Sequence, residues 1–450
     1  MKSKKIEILI KVLVPLIIIG SCFGIQKLIS IQKGKSYNKP IVINEDSQFY
    51  ESKGNEIEIL SNEVYGSIDG FSKNYGFISD NEVLVGIGMS QEEFTKKYPD
   101  DIEKGTEEYD ALCDNMINDM YGKVYILNLS TLERKPLNMD ARDVYSDIIP
   151  GINKFSYLNE DKLYIYDVND DSKTLYRNTD NLDELYEFNN GPVKIDSEYW
   201  TKNGEYLIGY QKTNNSQYGD LTLYNVKENS LKSFQVDNEN STIGMVPSYY
   251  SDDGSEIYYI SKKYKTEGIV KKYLVSDGIS KVNRDTGEIE EVFQLPYRDT
   301  ELDNYSRYSG ISDKNYYVLD KGKKIIFGGT IEGVDGTYIY DTENKEFHNI
   351  IPHTVASEKG GYGSFIWVSP DENKIIYMNL VEENGEKQWN LYAANISGNN
   401  LINRKCIYKN IDFIEDIKWS ADSKKILFFT SDKIEKGIKD NTKINIITFK

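Results

Sequence analysis

One short pattern recurs along this chain and limits its possible folds more than any other feature: a polar turn followed by a run of strand-forming residues. The clearest copies are Trp419-Ser420-Ala421-Asp422-Ser423-Lys424-Lys425-Ile426-Leu427-Phe428-Phe429 and Val368-Ser369-Pro370-Asp371-Glu372-Asn373-Lys374-Ile375-Ile376-Tyr377. Tyr250-Ser251-Asp252-Asp253-Gly254-Ser255-Glu256-Ile257 and Trp200-Thr201-Lys202-Asn203-Gly204-Glu205-Tyr206-Leu207 follow the same scheme. Leu319-Asp320-Lys321-Gly322-Lys323-Lys324-Ile325 and Ile78-Ser79-Asp80-Asn81-Glu82-Val83 are weaker copies. Each turn carries Asp, Asn or Gly, where a tight turn needs positive φ or a side chain that bonds its own backbone. Each following run is apolar enough for a strand buried on both faces. A strand–turn–strand hairpin comes next, at 123–137, 220–234, 280–293, 337–350 and 390–402.

Turn, strand and hairpin make a four-stranded antiparallel sheet, and tandem sheets of that size stack radially into an all-β propeller. The Ser-Pro-Asp turn at 369–371 with its Lys-Ile-Ile run, and its partner at 420–427, resembles the TolB-like, WD40-like propeller repeat. The resemblance spans roughly residues 55–450 and implies a fold; it prescribes no catalytic residue. Turn-plus-strand starts near 79, 159, 203, 253, 321, 371 and 422 give seven blades. The copy at 157–176 is compressed, and assigning it to a neighbour leaves six. The closing unit has three strands, at 416–420, 426–431 and 444–449, so the lone segment Glu56–Leu60 is expected to supply the fourth.

Lys2, Lys4, Lys5 and Lys11 precede an uncharged stretch from Val12 to Ile25. Residues 1–30 therefore read as a signal-anchor or a lipoprotein signal, that is, an apolar anchor helix ahead of the propeller. Ile19-Gly20-Ser21-Cys22 resembles a lipobox and makes Cys22 the lipidation candidate, while Phe23, Ile25, Leu28 and Ile29 prolong the apolar run as an uncleaved span would. Either reading ties the protein to the cell membrane with its main domain on the extracytoplasmic side, because the lysines stay inside. Residues 31–54 read as a solvated tether. A net charge of −18 opposes nucleic-acid binding.

The longest departure from the repeat is an insertion at 90–121. Ser90 and Glu93 form a capping box for one short helix. A second helix over 107–120 carries Tyr109, Leu112, Cys113, Met116, Ile117 and Met120 on one stripe. The stripe either packs on the propeller or caps a binding surface. With Val83–Gly86 as a second strand and Val124–Asn128 as a third, the insertion rises from the face that also carries the connections between blades. Segments 211–219 and 261–279 and the Gly360–Gly363 connection, with Tyr362, are expected to join it there as long loops.

Catalytic signatures are sparse. His348 and His353 are the only histidines, too few for a zinc site, so neither metal nor cofactor is expected. Gly360-Gly361-Tyr362-Gly363-Ser364 lacks the G-x-S-x-G nucleophile spacing. Three cysteines make no disulfide framework. The expected function is a non-catalytic binding or scaffolding module for a protein, peptide or envelope polymer, with Tyr109, Leu112, Met116, Met120 and Tyr362 on the binding face. The alternative is a propeller enzyme, a lyase or glycan-acting hydrolase using Asp, Glu and Tyr, which a central cluster of carboxylates with raised pKa would mark.

Overall fold

The computed structural model describes residues 42–43 and most of 56–450; it leaves aside 99–106, 179–198, 213–218, 237–240, 244–248, 251–254, 268–270, 297–309, 354–364 and scattered single residues and pairs. The expected anchor at 1–30, most of the tether, Cys22 and Tyr362 lie outside the described residues. Among the described residues, no helix is long and apolar enough to cross a membrane.

The described strands form seven sheets, each one blade of a propeller. Blade 1 runs Phe71–Ser79, Glu82–Ile87, Lys123–Asn128 and Arg134–Asp140, from the central axis outward. Blade 5 runs Gly310–Leu319, Lys324–Ile331, Val334–Asp341 and Glu346–Pro352. Blade 6 runs Phe365–Val368, Lys374–Glu383, Glu386–Ser397 and Asn400–Tyr408. Blade 7 runs Lys418–Trp419, Lys425–Thr430 and Thr442–Phe449, and takes its outermost strand, Ile59–Ile68, from the start of the domain.

Strands in this ring are apolar on both faces because each sheet is sandwiched between two others. On blade 6, Ile366, Val368, Ile375 and Tyr377 pack toward blade 5, while Ile376, Met378, Leu391 and Ala393 pack toward blade 7. Between blades 4 and 5, Phe293, Phe327, Tyr340 and Phe347 form one ring cluster with centroids 4.6–6.1 Å apart. Burying a ring such as Phe327 contributes about 2–3 kcal/mol from removed apolar surface.

Three expectations are corrected. In blade 2 the turn between first and second strands lies at 149–153, not near 159. Ile149 N–H donates to the Lys154 carbonyl at 3.2 Å, the bond that Thr201, Ser369 and Ser420 make to Tyr206, Lys374 and Lys425 at 2.9 Å. Val144 bridges Tyr157 in the first-strand position, and Lys154–Asn159, Lys162–Asp167 and Ser172–Asn178 complete the sheet. The turn near 159 joins the second strand to the third.

The closing strand begins at Ile59 rather than at Glu56. Ile57 is buried between blades 6 and 7, and its N–H bonds the Asn403 carbonyl of blade 6 at 2.7 Å. Its apolar side chain belongs to an inter-blade core, so it mimics strand alternation without joining that sheet. Finally, 261–279 is not a loop. Strands Glu256–Glu267 and Lys271–Asn283 pair along almost their whole length, out to Glu267 opposite Lys271.

Candidate functional site: the cap of blades 1 and 7

Strand direction divides the propeller into two faces. Turns between first and second strands, and between third and fourth, share a turn face. Turns between second and third strands share the opposite face with the connections between blades.

The turn face is short and self-bonded. Ser369 Oγ donates to Asp371 at 2.6 Å and accepts from the Lys374 N–H at 2.9 Å; Ser420 repeats this with Asp422 at 2.7 Å and Lys425 at 2.8 Å. Neighbouring turns also bond each other. Asp371 N–H donates to Ser423 at 2.9 Å, Asp320 N–H to Glu372 at 2.7 Å, and Lys425 reaches Asp80 at 2.8 Å. Burial opposes ionisation of Asp371 and Asp422, but bonds from the serines and from backbone N–H groups hold both carboxyls below their ordinary value.

Among the described residues, the other face carries two insertions that meet, each between the second and third strands of its blade. Blade 1 contributes helix α1 (Gln91–Lys97) and helix α2 (Glu107–Tyr121). Ser90 Oγ accepts from the Glu93 N–H at 3.3 Å while the Glu93 carboxylate accepts from the Ser90 N–H at 3.0 Å, a complete capping box. Gly122 ends α2 at φ +65°, and a Cβ there would sit 2.0 Å from the Ile87 carbonyl oxygen, so only glycine returns the chain to the sheet. Blade 7 contributes the hairpin Lys433–Glu435 and Ile438–Asp440, whose Lys439 pairs with Phe71 of blade 1.

The two insertions form one cap. Ile438, Phe94 and Tyr98 are buried together, with Met89, Met116 and Met120 half-buried against them. The Asp440 carboxylate accepts from the Gln91 N–H at 2.9 Å and from the Gly70 N–H at 3.0 Å, fastening the start of α1 to the link between blades 7 and 1. Asp119 accepts from Lys97 at 2.6 Å and Tyr98 at 2.5 Å; these bonds hold its carboxyl below the ordinary value against the effect of burial.

Of the residues singled out in the sequence, Met116 and Met120 enter this cluster, and Leu112 is half-buried on α2 outside it. Tyr109 lies on α2, but its side chain is outside the described residues, as is all of Tyr362. Phe94, Tyr98, Ile438 and Asp440 were not singled out. The capping box points to Phe94 and Tyr98 as the core of a short helix, whereas nothing local ties Ile438 to a helix in blade 1.

Two carboxyls on this face stand above their ordinary values, Asp143 through burial and the Asp140 charge, and Asp335 through burial against a bond from Thr330. They sit on blades 1 and 5 and form no common cluster. Burial pushes the His353 imidazole down to about 4, and the backbone N–H of His353 donates to the Asp335 carbonyl at 3.1 Å. Burial also lowers His348, which lies in blade 5 against Asn399 of blade 6 at 3.1 Å. Among the described residues, no group of three or more His, Cys, Asp or Glu side chains is placed to hold a metal ion.

No family model matches the sequence, and no curated protein matches it. Solved structures do resemble it. An oligogalacturonate lyase in complex with manganese is 11% identical, covering 88% of this chain and 98% of its own, with a TM-score of 0.49. The β-propeller domain of the Trilobed protease from Pyrococcus furiosus is 14% identical over 85% and 94%, with a TM-score of 0.45. TolB from Acinetobacter baumannii is 12% identical over 72% and 76%, with a TM-score of 0.37. The chain is a seven-bladed β-propeller by its own sheets, and the solved structures that resemble it include both enzymes and TolB.

Proposed function

We propose that this protein is a membrane-tethered, extracytoplasmic binding module that captures a protein, peptide or envelope polymer on its cap face. One observation carries the reading: insertions from two blades are joined by a common apolar core and by Asp440 into a cap seated on the face opposite the short, self-bonded turns. In this reading residues 1–30 supply the anchor at the cell membrane, and nucleic acid is not a partner.

The experiment places a photo-cross-linking residue at Leu112 on the cap, and separately at Glu343 on the turn face, in intact cells. A discrete adduct from position 112 and none from position 343 supports the reading; adducts from both, or from neither, reject it. Ile87 and Lys123 are directly paired, so residues 90–121 can be replaced by a short Gly/Ser turn without stretching the sheet. The trimmed protein should fold and lose the partner. Retained capture rejects the cap as the site, and failure to fold makes it a structural element.

A second reading has its own observation. Asp335 and His353 both lie at the cap-face end of blade 5, joined through their backbones, with the acid shifted up and the imidazole shifted down by burial. If the protein cleaves glycans there, Asp335→Asn abolishes turnover of an acidic oligosaccharide panel; absence of turnover by the unaltered protein rejects this reading.

A further inference from the structure

The described residues ahead of the closing strand sit on the outer edges of blades 5 and 6. Val42 and Ile43 pair in parallel with Glu346 and Phe347, adding a short fifth strand to the outer edge of blade 5. Glu56 then bonds Lys405 at 3.2 Å, and Ile57 bonds Asn403 at 2.7 Å, both on the outer strand of blade 6. Ile59–Ile68 finally becomes the outer strand of blade 7, and the Lys450 N–H meets the Glu58 carbonyl at 3.1 Å. Three consecutive blades are thus touched in order by one stretch of chain.

The direction of the first contact carries the inference. Strand Glu346–Pro352 leaves the turn face at Glu346 and reaches the cap face at Pro352, because the 342–345 turn joins it to Val334–Asp341. Val42 lies opposite Glu346, and the pairing is parallel, so the chain at 42–43 runs from the turn face toward the cap face. We infer that the chain reaches blade 5 from the turn-face side, so that the turn face looks toward the lipid surface and the cap looks away from it. This rests on the tethered reading above. With residues 31–41 as the solvated tether that the sequence suggests, a coil of that length has a root-mean-square reach of roughly 20 Å, which keeps the attachment point close to the bilayer. The turn face suits that position. Its turns are bonded to themselves and to each other, leaving the inserted cap to face a partner arriving from outside.

The test uses the full chain in vesicles carrying an acceptor dye on the lipid headgroups. A donor is attached to an azide-bearing residue placed at position 343 or at position 334, which leaves Cys22, Cys113 and Cys406 unlabelled. Both positions are exposed; Val334 opens the blade 5 strand Val334–Asp341 and Glu343 lies just past its other end, so they share a radial position but differ in height by about 23 Å. The expected result is flotation with the vesicles and at least a twofold higher transfer efficiency from position 343. Equal transfer, or more from position 334, overturns the orientation while leaving the tether intact. Failure to float rejects the tether and the orientation with it. Val42→Pro, which disrupts the parallel pairing, should narrow the difference between the two positions; an unchanged difference overturns the clip on blade 5 as its cause.

Discussion

On the turn face, Ser369, Ser420 and Thr201 each fold a side chain back onto the strand that follows, whereas on the cap face Phe94, Tyr98 and Ile438 meet across blades 1 and 7. The first arrangement repeats with the blade and needs only a few consecutive residues. The second occurs once and depends on two insertions far apart in sequence. Repeated, locally satisfied turns make a scaffold that tolerates changes at its other end. That separation lets the cap carry specificity while the ring carries stability.

The sharpest way to break this contrast is Phe94→Ala. The ring of Phe94 is 2% exposed and 4.8 Å from that of Tyr98, so its loss should cost the cap about 3 kcal/mol, with opening on the order of 100-fold more frequent. Proteolysis within 88–122 should accelerate accordingly while the propeller melts as before. A matching fall in the main melting transition would show that cap and ring form a single cooperative unit.

Ser420→Ala tests the other end. Its hydroxyl is buried and joins Asp422 to the Lys425 N–H, so removal should destabilise the ring by about 2 kcal/mol in urea unfolding and leave the cap adduct unchanged. Altered cross-linking without altered stability would reverse the assignment of roles.

Acid should act on the two faces with opposite signs and smaller effect. Asp371 and Asp422 have depressed values when folded, so their contribution is present above the unfolded carboxyl value of about 3.9 and is lost as pH falls through their folded values. Asp335 is raised when folded, so ionisation costs stability above its folded value, and that cost is relieved on acidification into the carboxyl range. Urea midpoints from pH 7 to 2.5 should show Asp422→Asn weakening the acid-induced loss and Asp335→Asn stabilising the protein mainly near neutrality. Identical profiles for both variants would remove the distinction between the faces.

The sequence discloses the turn face more fully than the cap face, for a physical reason. Tight turns need particular residues within about four positions, so Ser-Pro-Asp-Glu at 369–372 announces its own geometry. Blade 2 escapes because Ile149-Pro150-Gly151-Ile152-Asn153 makes the same Ile149–Lys154 bond without a Ser or Asp to advertise it. Lys262, Lys263 and Lys265 gave 261–279 a loop-like composition, although the strands simply extend outward past the usual blade length. On the cap, the capping box and the apolar stripe are visible as helices. Their packing partner is not, because Ile438 and Asp440 lie in another blade and carry no local mark of the contact.

The borrowed outer strand of blade 7 has a consequence for how the molecule is made. Glu58 and Lys450, which meet where the ring is closed, are 392 residues apart in the chain. Strand Ile59–Ile68, made near the start of synthesis, must therefore wait for the strand that completes its sheet, and the other blades can assemble meanwhile. During that interval its backbone edge is unsatisfied, and the polar run Ser61-Asn62-Glu63 with Gly66 makes it a poor template for stray pairing. Closure over so long a loop carries a large entropic barrier, though one that grows only logarithmically with further length. The ring is consequently slow to fasten.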